Sequence, residues 1–183
     1  MQTYIAILRG INVSGKNKII MKELKAALEA TDFQNVATYI QSGNVVFTHK
    51  ADDEKAIEKQ ITQLIKTTFG LDVPVLVRTV NYIAQTNADN PFLKREGIEL
   101  DKLHIAFLAE APSQENIDKL NSYDYPPDEV IVLGTAVYLH CPNGQARTKF
   151  HNSFIENKLK VTATGRNLKT VNKLIEMGKE IKA

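Results

Sequence analysis

The sequence predicts an α+β protein made of two ferredoxin-like units, each with the order β-α-β-β-α-β, which arose by internal duplication and are followed by a C-terminal helix. Three observations lead to this fold class. Strand and helix patterns alternate in that order, the order returns in the second half, and short segments recur at fixed separations. The 183 residues are enough for one large domain or two small ones.

The first half opens with an apolar strand pattern at residues 4–8. Residues 21–28 then place apolar side chains on one face of a short helix. Two further strand patterns, 36–41 and 44–48, flank Ser42-Gly43, which predicts a tight two-residue hairpin turn with Gly43 at positive φ.

A second helix and a fourth strand complete the first unit. Asp52 or Asp53 can cap this helix, an apolar stripe follows at helical spacing, and Gly70 is placed to end it. Residues 73–77 are then typical of a strand, and a further helix is expected near residues 79–85.

The second half repeats this order. Its predicted elements are a strand at 102–108, a helix capped by Ser113, strands at 129–133 and 136–140, a helix around 150–155, a strand at 160–163 and a helix near 168–177. The hairpin turn is expected at Gly134-Thr135.

Recurring segments support the duplication. Three pairs resemble each other: Tyr4–Leu8 with His104–Leu108 at a separation of 100, Gly43–His49 with Gly134–His140 at 91, and Thr79–Asn81 with Thr170–Asn172 at 91. We therefore expect residues 1–86 to form the first unit with its following helix, residues 87–101 a polar connector, and residues 102–183 the second unit with the C-terminal helix.

Composition favours a cytoplasmic protein without a membrane span. No stretch approaches the roughly 20 apolar residues of a membrane helix, and residues 4–8 are too short for the core of a signal peptide. Cys141 is the only cysteine, which excludes an internal disulfide and a cysteine-rich metal site. We expect neither a metal nor a cofactor.

Charge is unevenly distributed along the chain. Residues 1–50 carry six Lys/Arg against three Asp/Glu, residues 145–183 carry nine against three, and residues 51–144 carry eight against fifteen. If the two basic ends converge, they form one face that can attract a phosphate-bearing small molecule or nucleic acid. The alternative is that the two basic regions lie apart and are separately solvated.

The first candidate site is the segment between the first strand and the first helix. It contains Arg9, Gly10, Asn12, Lys16 and Lys18. Glycine permits close backbone approach, and the N–H groups at the start of the following helix favour an anion. A solvated crossover loop is the alternative interpretation.

Cations also precede two helices of the second half. Arg147 and Lys149 lie before the helix around residue 154, and Arg166 and Asn167 lie before the last helix. Arginine offers a bidentate fork to phosphate or carboxylate, so these residues are predicted to extend the anion site.

No catalytic constellation is evident, and the catalytic residues are unknown. His49 and His140 occupy corresponding ends of the two hairpins, which favours a structural role. Phe47 and Tyr138, the central aromatic residues of the same strands, are expected in the core rather than on a surface that stacks nucleic-acid bases.

Four motifs resemble those of the bacterial domain-of-unknown-function 1697 family. They are Leu8–Val13, Tyr39–Val45, Asn90–Phe92 and Thr164–Val171, and the resemblance covers essentially the whole chain. It implies an α+β fold with ferredoxin-like units and no established activity. The family usually has glycine at the position of Ser14 and tryptophan at that of Leu168, so no stacking role is expected at Leu168.

These observations favour a cytoplasmic binding module for a phosphate-bearing ligand, either a nucleotide or a nucleic-acid backbone. One alternative is a small metal-independent enzyme that orients an anionic substrate in the same pocket. Another is a structural protein that oligomerises through a sheet face or edge. The sequence leaves the oligomeric state open.

Overall fold

The structure, a computed structural model, describes residues 1–13 and 15–181, which form eight β-strands and six α-helices. The strands are β1 (Gln2–Leu8), β2 (Gln34–Tyr39), β3 (Asn44–His49), β4 (Val75–Thr79), β5 (Leu103–Leu108), β6 (Glu129–Leu133), β7 (Ala136–His140) and β8 (Ala163–Asn167). The helices are α1 (Met21–Glu29), α2 (Glu54–Phe69), α3 (Val80–Ala88), α4 (Gln114–Asn121), α5 (Asn152–Leu159) and α6 (Leu168–Glu180). The predicted connector contains two 3-10 turns, at Pro91–Lys94 and Leu100–Lys102.

The strands form two four-stranded sheets with corresponding strand orders. The first sheet runs β2-β3-β1-β4 and the second β6-β7-β5-β8, and every neighbouring pair is antiparallel. Two antiparallel sheets accompanied by six helices confirm the predicted α+β class.

The chain divides into two compact units. The first comprises Met1–Ala84 together with the chain from Lys173 onward, and the second comprises Gln85–Asn172. Helices α3 and α6 therefore each contribute residues to both units, whereas the sequence prediction kept residues 102–183 together.

The core of the first unit lies between one face of its sheet and helices α1 and α2. Alternate residues of β1 point into it, because side chains of a strand alternate between faces. The helices contribute the residues at helical spacing that the sequence predicted: Leu24, Leu28, Ile57, Ile61 and Ile65. Burying each of these side chains contributes about 1.5–3 kcal/mol relative to exposing it.

The second unit has its own core between its sheet and helices α4 and α5. Its central members are Ala106, Leu108, Val137, Leu139, Cys141, Leu120, Ile155 and Leu159. The thiol of Cys141 therefore acts as a small apolar group in this core, and burial raises its pKa to about 11.

The two ends of α2 follow from residues identified in the sequence. Of the two candidate caps, Asp53 is the one used: its Oδ1 accepts hydrogen bonds from Lys55 N at 2.9 Å and Ala56 N at 3.1 Å. Gly70 ends the helix with φ of 69°.

The first hairpin differs from its prediction. Tyr39 pairs with Asn44, so the turn has four residues, 40–43, and is not the two-residue turn expected at Ser42-Gly43. Gly43 nevertheless has the predicted positive φ, 79°, and its carbonyl accepts a hydrogen bond from Leu8 N at 2.8 Å. In the second hairpin Leu133 pairs with Ala136, so Gly134-Thr135 is the predicted two-residue turn.

The last strand begins three residues and ends four residues later than the predicted range of 160–163. Lys160 has φ of 59° and ends α5, and the strand is Ala163–Asn167, where Ala163 pairs with Leu108 and Asn167 with His104. Hydrogen bonding to β5 therefore decides where this strand lies, and the β-branched residues around Val161 do not. Arg166 is thus a strand residue, and not part of the helix-entry loop that the sequence predicted.

The recurrence of Thr-Val-Asn also has no structural counterpart. Thr79 directly precedes α3, and its hydroxyl accepts a hydrogen bond from Tyr82 N at 3.1 Å. Thr170 instead lies inside α6, and the residue before that helix is Asn167. The residue that corresponds to Thr79 at the start of the helix is therefore Asn167.

Candidate functional site

The segment between β1 and α1 folds as a small hairpin. Val13 and Lys16 form an isolated bridge, with Lys16 N donating to Val13 O at 2.9 Å, and Asn12 N donates to Asn17 O at 3.2 Å. Ser14, where the family usually has glycine, lies outside the described residues. We call residues 9–20, as far as they are described, the basic loop.

Asn12 fastens the basic loop to the first hairpin turn. Its Nδ2 donates to Ile19 O at 2.9 Å and to Gln41 O at 2.8 Å, and its Oδ1 accepts from Ile19 N at 3.0 Å. Asn12 has φ of 55°, which asparagine tolerates better than most residues. The side chain of Asn12, a predicted ligand residue, therefore makes three hydrogen bonds within the protein and positions the loop.

Gly10 also has a conformational role in the basic loop. Its φ is 68°, and an added Cβ would meet nothing within 4 Å, so backbone conformation rather than space favours glycine there. Its carbonyl accepts a hydrogen bond from Asn17 Nδ2 at 3.1 Å.

The cations of the basic loop differ in exposure. Arg9 is half-buried, whereas Lys16 and Lys18 are exposed and have no ion-pair partner within residues 1–13 and 15–181. Lys18 lines an open groove of about 460 Å³ together with Asn12, Gly15, Ile19, Ile20 and Gln41. Ile20 precedes α1 and has no side-chain oxygen that could cap the helix.

Two predicted site residues lie in the segment before α5. Arg147 is exposed on a turn, where its N–H donates to Gly144 O at 3.0 Å. The ammonium of Lys149 lies 4.6 Å from the centre of the Tyr125 ring, a cation–π contact. The helix itself is capped by His151, whose Nδ1 accepts from Phe154 N at 3.2 Å.

Arg166 and Asn167 end strand β8. Arg166 is half-buried, its Nη1 donates to Gly165 O at 2.8 Å, and burial lowers the pKa of its guanidinium to about 10. Asn167 caps α6, because its Oδ1 accepts from Thr170 N at 2.8 Å. The sequence predicted that Asn167 contacts a ligand, whereas in the structure its side chain caps α6.

The structure places the eight predicted residues in two groups. Those of the basic loop, Arg9, Gly10, Asn12 and Lys16, belong to the first unit, and Arg147, Lys149, Arg166 and Asn167 belong to the second. Convergence of the two groups on one concavity stays a prediction.

His49 is a buried structural residue, as the sequence indicated. Its Nε2 lies 3.0 Å from Asp32 Oδ2, and its Nδ1 accepts a hydrogen bond from Ala51 N at 3.1 Å. Both ring nitrogens are therefore occupied. Burial opposes ionisation of Asp32, but hydrogen bonds from Gln60 and His49 outweigh that effect and lower the pKa of its carboxyl group.

His140 is not the counterpart of His49. Val137 and Leu139 of β7, and Cys141 directly after it, face the core, so His140 projects from the other face. His49 instead lies on the core face of β3, beside Phe33. His140 Nδ1 lies 3.0 Å from Glu129 Oε1, which also accepts a bond from Arg95 Nη1 at 2.7 Å. The two histidines end similar hairpin sequences but face opposite sides of their sheets, and no local pattern in the sequence indicates the cluster around Glu129.

The Glu129 cluster predicts a pH dependence of stability. The hydrogen bond from Arg95 lowers the pKa of the Glu129 carboxyl group, so its stabilisation is complete above the unfolded pKa of about 4.5 and is lost as pH falls through the folded value. In urea titrations, Glu129→Gln should be less stable than the parent at neutral pH, and the difference should vanish at strongly acidic pH. A difference that stayed constant with pH would contradict the assignment.

The remaining candidate residues are buried. Phe47 packs within 4.9 Å of Phe33 in the first core, and Tyr138 donates its hydroxyl proton to Thr86 O at 2.8 Å, so neither forms a surface for stacking bases. Leu168, where the family usually has tryptophan, is also buried.

The described part of the chain lacks both a cluster of metal ligands and a membrane-spanning helix. Residues 1–13 and 15–181 contain no group of three or more His, Cys, Asp or Glu side chains placed to hold a metal ion. None of their helices combines the length and apolar character needed to cross a membrane.

Comparison with known proteins agrees with the motifs seen in the sequence. A family model described as "Protein of unknown function (DUF1697)" matches residues 1–138. A conserved bacterial protein, SP0830 from Streptococcus pneumoniae, has a similar structure, with a TM-score of 0.69 and 24% identity over 97% of this chain and 98% of its own. That likeness shows the fold alone. No curated protein matches the sequence. Since the family model covers well over half of the chain, the protein belongs to the DUF1697 family.

Proposed function

We propose that this protein binds a phosphate-bearing ligand, a nucleotide or a nucleic-acid backbone, at the basic loop. The observation that carries the proposal is the pair of exposed lysines, Lys16 and Lys18, for which the described residues provide no carboxylate partner. They stand on a loop that Asn12 fastens to a neighbouring turn.

Fixing the loop matters because binding is stronger when the binding groups are ordered beforehand. The three side-chain hydrogen bonds of Asn12 fix the backbone at Ile19, next to Lys18, and tie it to Gln41, which lowers the cost of ordering the chain around Lys18 on binding. Arg9 at the base of the loop offers a guanidinium that can donate two parallel hydrogen bonds to phosphate.

The groove beside Lys18 supplies a place for the rest of the ligand. Its volume of about 460 Å³ is within the range of small-molecule sites, and Ile19 and Ile20 give it an apolar wall. The phosphate would lie towards Lys16 and Lys18, and an uncharged base or sugar would lie against the isoleucines.

Charge-removing variants test the proposal. Lys16→Gln/Lys18→Gln should weaken binding of ATP, or of a short single-stranded oligonucleotide, by about tenfold, because each ion contact contributes roughly 0.5–1 kcal/mol near the surface. The matched control is Lys50→Gln/Lys59→Gln, which removes two exposed lysines of the same unit. Isothermal titration calorimetry at low and at physiological salt measures both.

The salt dependence distinguishes a specific site from general attraction. Losing phosphate contacts should reduce the slope of log Kd against log salt for the loop variant but not for the control. Equal weakening by the two double variants would show diffuse attraction to a basic surface. No measurable binding of either probe by the parent protein would reject the proposal.

We also infer that the two units are diverged copies of one ferredoxin-like unit, as the sequence predicted. The register supports this correspondence: Ile5 pairs with Arg78 in the first sheet, and Ile105 pairs with Arg166 in the second. The helix caps support it as well, since Thr79 and Asn167 both accept a bond from the residue three positions later.

Corresponding strands of the two units are separated along the chain by three different numbers of residues, whereas the recurring sequence segments gave only two. Register gives 100 between β1 and β5, 92 between β3 and β7, and 88 between β4 and β8. Gly43 then corresponds to Thr135, since their carbonyls accept from Leu8 N and Leu108 N, and not to Gly134 as the sequence comparison had it.

A further inference from the structure

We propose that the outer edge of β6 binds an extended peptide carrying basic side chains, which adds to the second sheet as a fifth strand. The site is separate from the basic loop and does not depend on the function proposed above. It rests on the outward-facing backbone groups of β6, on a groove beside that strand and on Asp128, a residue of the groove lining that has one buried carboxylate oxygen without a hydrogen-bond partner in the described part of the chain.

The backbone of β6 leaves hydrogen-bonding groups available along its outer side. β6 is the end strand of its sheet in the described residues. At the two ends of β7, Thr135 O accepts a hydrogen bond from Leu108 N and Cys141 N donates one to Lys102 O. Because hydrogen-bonding direction alternates along a strand, the odd-numbered residues of β7 bond to β5 and its even-numbered residues bond to β6. Glu129, Ile131 and Leu133 are therefore the bonded partners of β7, and Val130 and Val132 direct their N–H and C=O groups outward.

β6 lacks the features that usually protect an edge strand. Its five residues pair with β7 in unbroken register, they are half-buried or exposed, and three of them are Val or Ile. The edge strand β2 of the first unit is different: its register shifts between Gln34 and Ala37, and its sequence is mainly polar. A regular, apolar edge is the usual template for an added strand.

A groove of about 420 Å³ lies along this strand. It is lined by Val130, Ile131 and Val132 together with Asn121, Tyr123, Asp124, Asp128, Glu129 and Phe150. The lining contains three acidic residues and no basic one. Glu129 is already bonded to Arg95 and His140, so Asp124 and Asp128 remain for a partner.

Asp128 shows what that partner must supply. Its Oδ1 is buried and has no hydrogen-bond partner in the described part of the chain. A buried carboxylate oxygen without a donor is unfavourable, and an ammonium or guanidinium group would relieve this by a charge-assisted bond. The occupant is therefore an extended segment with lysine or arginine near the Asp128 end.

A second copy of β6 fits this chemistry poorly. Residues 124–133 contain three acidic residues and no lysine or arginine. Antiparallel pairing of two β6 strands would leave both Asp128 carboxylates without donors and would add acidic groups to the same surface. A basic partner strand supplies both the backbone pairing and the missing donor.

Synthetic peptides test the proposal on the full chain. The probe is a blocked hexapeptide of alternating lysine and valine. Its first control has the same sequence with N-methylated valines, which keeps the charge but removes backbone donors, and its second has glutamate in place of lysine. Amide chemical-shift changes in ¹⁵N-labelled protein should centre on Val130 and Val132 with the lysine peptide only.

Two protein variants localise the charge contact. Asp128→Asn should weaken binding of the lysine peptide by about tenfold, whereas Glu115→Gln, an exposed acid of α4, should leave it unchanged. The proposal is overturned if the N-methylated peptide binds equally well, if the shifts map elsewhere, or if the lysine peptide does not bind. It is also overturned if sedimentation shows a dimer that Val132→Lys dissociates, since a second copy would then occupy the edge.

Discussion

Replacing Arg78 with methionine is expected to lower the free energy of unfolding by about 3 kcal/mol, because it removes the buried cation between two carboxylates and leaves Glu58 with only the exposed Lys55 as an ion-pair partner in the described part of the chain. Arg78 Nη1 lies 3.1 Å from Glu58 Oε1 and 3.4 Å from Glu54 Oε2. The exposed fractions of these side chains are 7% for Arg78, 12% for Glu58 and 29% for Glu54.

The two glutamates also hold the backbone of β4. Glu58 Oε1 accepts from Val77 N at 3.1 Å, and Glu54 Oε1 accepts from Thr79 N at 3.0 Å. Without Arg78 the carboxylates retain these bonds but face each other as like charges. The edge strand and α2 should therefore separate more readily, which urea denaturation followed by circular dichroism will detect.

A less buried ion pair provides the control for Arg78. Arg95 and Glu129 are 44% and 43% exposed, so Arg95→Met should lower the urea midpoint much less than Arg78→Met. Combining Arg78→Met with Glu54→Gln and Glu58→Gln should recover part of the lost stability, since neither carboxylate then remains and Lys55, the other partner of Glu58, is 56% exposed to water. Equal losses in Arg78→Met and Arg95→Met would show that burial of the pair is unimportant.

Gly43→Ala is expected to lower the free energy of unfolding by about 3 kcal/mol from two independent causes. The residue has φ of 79°, a conformation that costs an alanine roughly 1–2 kcal/mol. The added Cβ would also lie 2.7 Å from Leu8 Cβ and 2.8 Å from Ile11 Cδ1. Leu8 Cβ is fixed by the backbone of β1 and cannot rotate away, so the turn itself must move.

Gly134→Ala separates the two causes. Gly134 has φ of 56°, but an added Cβ would meet nothing within 4 Å, so only the conformational part of about 1–2 kcal/mol applies. Thermal and urea denaturation of both variants should therefore give clearly unequal losses. If the two losses agree within error, crowding at Leu8 contributes nothing.

Much of the fold could be predicted because its elements are marked locally. The stripe at Ile57, Ile61 and Ile65, the cap at Asp53 and the stop at Gly70 identify α2 without tertiary information. The strands β6 and β7 have their predicted bounds because a two-residue turn fixes both ends of the hairpin.

What could not be predicted depends on register between distant strands. Nothing in the local sequence around Val161 indicates that β5 pairs with residues 163–167, so the last strand was placed too early. A one-residue difference in separation also exchanges the faces of a strand. For that reason His49 and His140 looked equivalent in sequence, although one lies in a core and the other beside Glu129.

For the candidate site, the sequence could predict that lysines are exposed, but it could not predict the hydrogen bonds of the asparagines. Exposed lysines such as Lys16 and Lys18 need no tertiary partner, so sequence alone can nominate them. Asn12 and Asn167 were predicted to belong to the same site, but the side chains of both form hydrogen bonds with backbone groups of the protein. Sequence shows that an asparagine is present but not which of several nearby backbone groups it bonds.

The buried thiol in the second core allows local opening of that core to be measured by chemical labelling of the unmodified protein. Cys141 is the single cysteine of 183 residues and has no exposed surface, and burial raises the pKa of its thiol to about 11. A maleimide can reach this sulfur only when that core opens, so labelling is limited by the opening equilibrium. Mass spectrometry of a timed labelling series would then follow opening of the second unit in the unmodified chain, while the first unit, which has no cysteine, remains silent.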